Sequence, residues 1–104
     1  MEIDKVIVEC QTKDEFVELI DFCYDNGRKK ESTLKPSGFY SREEVVSMLP
    51  SGVFPRCINL TGEISRDIGW SHRHFYERDN KMKHYPILTL DEFLNSHMSN
   101  NPKK

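Results

Sequence analysis

The chain has 104 residues, 37% of them apolar and 31% charged, which suits one domain around a single modest core. It leaves no room for two lobes with an active-site cleft between them. No apolar run approaches the roughly 20 residues that cross a bilayer, so no membrane partner is expected. A net charge of −2 lacks the basic excess of a general nucleic-acid binder.

Residues 2–10 predict a strand. Its β-branched centre, Val6-Ile7-Val8, points to burial on both faces. Thr12-Lys13-Asp14-Glu15 is a capping box that opens the principal helix, in which Phe16, Leu19, Ile20 and Cys23 recur at helical spacing. Asn26-Gly27 stops that helix. From Arg28 to Tyr40 the pattern lapses into a polar connection with a turn at Pro36-Ser37-Gly38. A second capping box, Ser41 to Glu44, opens a short helix through Val45, Val46, Met48 and Leu49, ended by Pro50-Ser51-Gly52. Residues 54–60 predict a strand, turned by Thr61-Gly62 toward a hairpin partner at Glu63-Ile64-Ser65.

Residues 69–78 then form a loop or a short helix capped by Ser71, followed by a turn at Asp79-Asn80-Lys81. Residues 83–89 predict a strand, on an edge or pairing only after Pro86, since proline cannot donate to a ladder. Thr89 to Glu92 is a third capping box, opening a terminal helix through Phe93 and Leu94. The order predicts an α+β fold: a small, largely antiparallel sheet with one principal helix packed on it and short additional helices. Residues 1–98 form the domain and residues 99–104 a disordered tail.

Cys10, Cys23 and Cys57 are odd in number and lack CxxC spacing, so reduced thiols and a cytoplasmic location are expected. The opening Met-Glu-Ile-Asp enters a strand pattern directly, from which no secretory signal is expected. His72-x-His74 has no completing ligand at a known zinc spacing. No metal or other cofactor is expected. The chain has no GxSxG, HExxH, P-loop or GxGxxG, and its cysteines sit in apolar patterns, so no enzymatic activity is expected.

The most informative stretch is Gly69–Arg78, which holds the chain's sole Trp, two of its four His, and two Arg, with one Phe and one Tyr. Rings offer stacking surfaces and guanidinium groups offer forked donors to phosphate or carboxylate. The candidate ligand-binding residues are Trp70, His72, Arg73, His74, Tyr76 and Arg78, joined by Lys81 and Lys83. Charge is also uneven. Residues 1–25 carry eight acids and two bases, whereas residues 26–104 carry nine acids and thirteen bases, concentrated at Arg28-Lys29-Lys30 and from Arg66 to Lys83.

Three partners fit such a segment. One is a nucleotide or cyclic-nucleotide signal, stacked and neutralised without being cleaved. Another is a host protein, since Trp, Tyr and Arg also dominate protein interfaces. DNA or RNA is the third, disfavoured by the net charge. A domain this small offers a shallow surface, so a nucleotide pocket would form most easily between the protomers of a homodimer. The structural alternative is that Trp70, Phe75 and Tyr76 belong to the core.

Read whole, the chain resembles small accessory proteins of tailed bacteriophages. The residues concerned are Val6–Cys10, Thr12–Phe16, Asn26-Gly27, Cys57–Leu60, Thr61–Ile64 and Tyr85–Phe93. The resemblance implies a host-takeover or anti-defence role by binding, in the host cytoplasm. The partner would be a host defence protein to block or a nucleotide immune signal to sequester. It transfers no site residues.

Overall fold

The computed structural model describes residues 5–61 and 68–99. Four strands form one sheet in the order β3-β2-β1-β4. They are β1 (Ile7–Cys10), β2 (Arg56–Asn59), β3 (Gly69–Ser71) and β4 (Ile87–Thr89). β1 pairs antiparallel with β2, and β2 antiparallel with β3, with Val8 opposite Ile58 and Ile58 opposite Trp70. β4 lies on the far side of β1 and runs parallel to it, Val8 beside Leu88. The sheet is therefore mostly antiparallel with helices on it, the α+β architecture that the element order predicts.

Thr12, Ser41 and Thr89 cap helices where the sequence places them. The principal helix α1 (Lys13–Asp25) is capped by Thr12, whose hydroxyl accepts the Glu15 N–H. The Glu15 carboxylate reaches one residue further back, to the Gln11 N–H at 2.8 Å. Gly27 follows with φ +83°, a left-handed conformation that glycine takes cheaply. α2 (Arg42–Ser47) opens with a complete capping box between Ser41 and Glu44. Its far end is tied to α1, since Lys13 Nζ donates to the Val46 and Leu49 carbonyls, both at 2.7 Å. A cation there satisfies carbonyls left over at a helix C-terminus. α4 (Leu90–Ser99) opens with the reciprocal bonds of Thr89 and Glu92.

The sheet is covered on both faces, and the alternation in β1 explains why. Val6, Val8 and Cys10 face a large core built with Phe16, Leu19, Ile20 and Cys23 of α1, Val45 of α2 and Phe93 of α4. Ile7 points the other way, into a small cluster with Cys57, Tyr76 and Met82. Ile7 and Val8 are both fully buried, as the β-branched run predicts. α4 closes one edge of the large core, where Phe22 meets Phe93 and His97 edge-on at 5.4 and 5.3 Å.

Details follow from tertiary context. Of the two alternatives for residues 83–89, pairing begins only after Pro86: β4 starts at Ile87, and Met82–His84 is a turn of 3₁₀ helix. Proline is the reason: the Pro86 carbonyl accepts the Ile7 N–H at 3.0 Å, and pairing continues from the next residue that also owns a donor. The ladder there is parallel, the minority orientation in a largely antiparallel sheet. Gly69–Ser71 is an edge strand, and the helix after it, α3 (Arg73–Arg78), has His72 rather than Ser71 at its N-cap, with no side-chain cap bond. Ser71 cannot cap because it is paired in the sheet opposite Cys57. Finally, the connection after Arg28 contains a small antiparallel bridge between Glu31 and Phe39. The hairpin partner expected at Glu63-Ile64-Ser65 lies outside the described residues, as do Arg66, residues 2–4 of the first expected strand and residues 100–104 of the tail. α4 itself continues to Ser99.

Candidate functional site

The aromatic-basic segment does not form one surface, because a strand and a helix divide it between the two faces of the sheet. Trp70 stands opposite Ile58 and so points toward the large core. Its ring meets Phe16 edge-on at 5.8 Å, and the Lys30 ammonium lies 4.7 Å from its centroid. Lys30 also donates to the Ile68 carbonyl at 2.8 Å, and Arg28 to the Leu60 carbonyl at 2.9 Å. Two of the three bases in the Arg28-Lys29-Lys30 run therefore tie the end of α1 to the sheet.

Tyr76 is 2% exposed and packs with Ile7, Cys57 and Met82 on the opposite face. Burial holds its phenol well above the ordinary tyrosine range. Neither of these two rings presents a face that a ligand could stack on alongside the other. Both rings take packing roles, Tyr76 buried and Trp70 partly so, for the same reason in each case: both faces of this sheet need covering.

The remaining candidates gather on the outer side of α3 and the turn that follows it. His72, Arg73, His74 and Arg78 are exposed, as are Lys81 and Lys83. Phe75 is 42% exposed and rests edge-on against Tyr76, ring centroids 5.1 Å apart. His74, Phe75, Arg78 and Asp79 line a shallow, open depression. The turn beneath the lysines is organised by Asp79, whose carboxylate accepts the N–H groups of Lys81 and Met82, both at 3.0 Å.

Arg73 is committed elsewhere. Its Nε donates to Glu77 one turn along α3, and its Nη1 to Glu9 on β1, both at 2.8 Å. These bonds clamp α3 onto the sheet above Cys57, which stands opposite Glu9. The Arg73 hydrogen bond, ahead of its charge, holds the Glu77 carboxyl below the usual glutamate range. Because the folded value is depressed, the pair stabilises the protein at neutral pH, and its contribution is lost as pH falls through that value. Both side chains are close to half exposed, so the effect on stability is small. The titration itself is the better readout. In Arg73→Ala the carboxyl of Glu77, followed by carbon-detected NMR, rises into the ordinary glutamate range. An unchanged Glu77 titration would refute the clamp.

Among the described residues, no three or more His, Cys, Asp or Glu side chains converge to hold a metal ion. The three thiols are buried, and burial pushes Cys57 up to about 11 and Cys23 up to about 12, with Cys10 raised further. Thiols so protonated are weak nucleophiles at neutral pH. Among the described residues no helix is long and apolar enough to cross a membrane.

Sequence reasoning missed two features. Phe75 was one of several rings in the segment, and only the burial of its neighbour Tyr76 singles it out. A second group of rings and cations, in residues 29–44, carries no periodicity to mark it. Its signal in the sequence is Lys29, Lys30 and Lys35 followed by the adjacent rings Phe39 and Tyr40. Comparison with protein-family models, with curated proteins and with solved structures returned no match. The fold and the site define the molecule as a small α+β protein with a mixed four-stranded sheet.

Proposed function

We propose that this is a non-enzymatic binding protein that docks on a partner protein through the outer side of α3. The observation that carries the reading is Phe75, an aromatic side chain left 42% exposed on a helix and held in place by a buried neighbour. A pre-positioned ring of this kind loses little freedom on binding, and interface energy concentrates in such anchors. Arg78 stands one turn from it, and Lys81 and Lys83 extend the positive side, so the complementary surface is acidic. The likeness to accessory proteins of tailed bacteriophages implies a host defence protein as the partner, in the host cytoplasm.

Nucleotide sequestration by the same segment has less support. With Trp70 and Tyr76 in packing roles, Phe75 and His74 are the rings beside an open depression, where a small ligand would stay largely in water.

The test is a Phe75→Ala/Arg78→Ala double variant. Neither side chain is buried, so the variant keeps a melting temperature close to that of the parent. Cross-linking in extracts of host cells should join α3 of the parent protein to a partner, and the variant should lose that product. A product that the folded variant retains, or that maps away from α3, would remove this face from the mechanism. A steep salt dependence of duplex DNA binding would favour the nucleic-acid reading in its place.

A further inference from the structure

The segment between α1 and α2 folds back on itself through the Glu31–Phe39 bridge, with Ser32 N–H donating to the Gly38 carbonyl at 2.9 Å and Tyr40 N–H to the Lys30 carbonyl at 2.9 Å. Gly38, at φ +86°, makes the reversal possible. The return strand is anchored to α1 by the Tyr24 hydroxyl, which donates to the Tyr40 carbonyl at 2.7 Å and accepts the Lys30 N–H at 3.2 Å. This leaves an open cleft bordered by Tyr24, Phe39 and Tyr40, with Lys29, Lys35 and Arg42 among its lining residues.

Rings and cations are paired across this cleft. The Lys29 ammonium lies 5.7 Å from the centroid of Phe39, and that of Lys35 lies 5.9 Å from the centroid of Tyr40. Phe39 is 40% exposed, and its N–H donates to the Ser37 hydroxyl at 3.4 Å. Lys35 is paired with Glu44, and Arg42 with Asp21 and Glu43. Lys29 has no carboxylate partner among the described residues, so its charge is the one available without breaking an ion pair.

A ligand that uses both halves of this arrangement carries a flat ring and a negative charge on one small frame. The geometry points to a mononucleotide site here: the base stacks on Phe39 in place of the Lys29 ammonium, which turns from the ring to the phosphate group, with Lys35 and Arg42 able to turn from their carboxylates toward a second phosphate. Glu44 limits the fit, because it lines the same cleft and disfavours an anion placed beside it. Glu44 is held on Lys35 and on the Ser41 N–H, which directs the phosphate to the Lys29 side. The site is separate from the α3 surface and does not rest on the docking proposal.

Isothermal titration with ADP, with adenosine and inorganic pyrophosphate as controls, tests the assignment. ADP should bind saturably and at least roughly tenfold tighter than either control, because stacking and charge act together. Phe39→Ala should weaken ADP roughly tenfold or more, the usual worth of one base on one ring, and Lys29→Ala should do likewise. Lys29 is exposed and Phe39 partly so, and either variant alone is sufficient if the other misfolds. Phe75→Ala/Arg78→Ala should bind ADP like the parent. The proposal is overturned by no saturable binding, by pyrophosphate binding as tightly as ADP, by unchanged affinity in the folded variants, or by loss of binding in the α3 variant.

Discussion

Phe16→Ala should remove a large part of the protein's stability. The side chain is fully buried and joins the α1 face to the sheet, with its ring 5.6 Å from Phe54 and 5.8 Å from Trp70. Truncating a buried Phe costs roughly 3–5 kcal/mol, part from lost burial and part from the cavity left behind. A domain of this size has only about 5–15 kcal/mol in total. In urea monitored by circular dichroism, the unfolding midpoint should fall to low denaturant, or the folded baseline should vanish. A loss below about 1 kcal/mol would mean that the core collapses onto the gap or that α1 is not packed as described.

The second large effect is expected at Trp70, a candidate ligand-binding residue in the sequence and a packing residue in the structure. The structure places one side of the indole on Phe16 and the Lys30 ammonium over its ring. An edge-to-face pair adds roughly 0.5–1.5 kcal/mol beyond burial, and a partly covered cation–π contact about 0.5–2 kcal/mol. With the apolar area lost as well, Trp70→Ala should cost roughly 2–4 kcal/mol, and Lys30→Met a smaller part of that. Because Trp70 is the chain's sole tryptophan, its fluorescence reports directly on this packing. A double-mutant cycle with Phe16→Leu should show coupling of about 0.5 kcal/mol or more, as contacting residues do. Strict additivity, or a melting temperature unmoved by Trp70→Ala, would return the ring to the surface.

These two residues show where sequence reading succeeds and where it stops. Phe16 was legible because its neighbours Leu19, Ile20 and Cys23 repeat at helical spacing, so one stripe had to be buried whatever lay beneath it. Trp70 was not, because three residues of edge strand carry no measurable period, and their facing is set by the register with Ile58, twelve residues earlier. Tyr76 has a similar history. One turn of helix offers too few residues to reveal a buried side, and only Ile7 emerging through the sheet creates a second cluster for it to complete.

What the sequence by itself determined is the set of features that act within about four residues: the capping residues Thr12, Ser41 and Thr89, the stop at Gly27, and the delay of β4 until after Pro86. Each is a local steric or hydrogen-bonding requirement that the chain meets in any tertiary context. Only the tertiary structure decided that β4 runs parallel beside β1, that α3 lies on the face opposite α1, and that the bases at Arg28 and Lys30 serve the sheet while Lys29 and Arg78 remain at the surface. Those outcomes depend on pairings across tens of residues, where many arrangements satisfy the same local rules and the burial of both sheet faces selects among them.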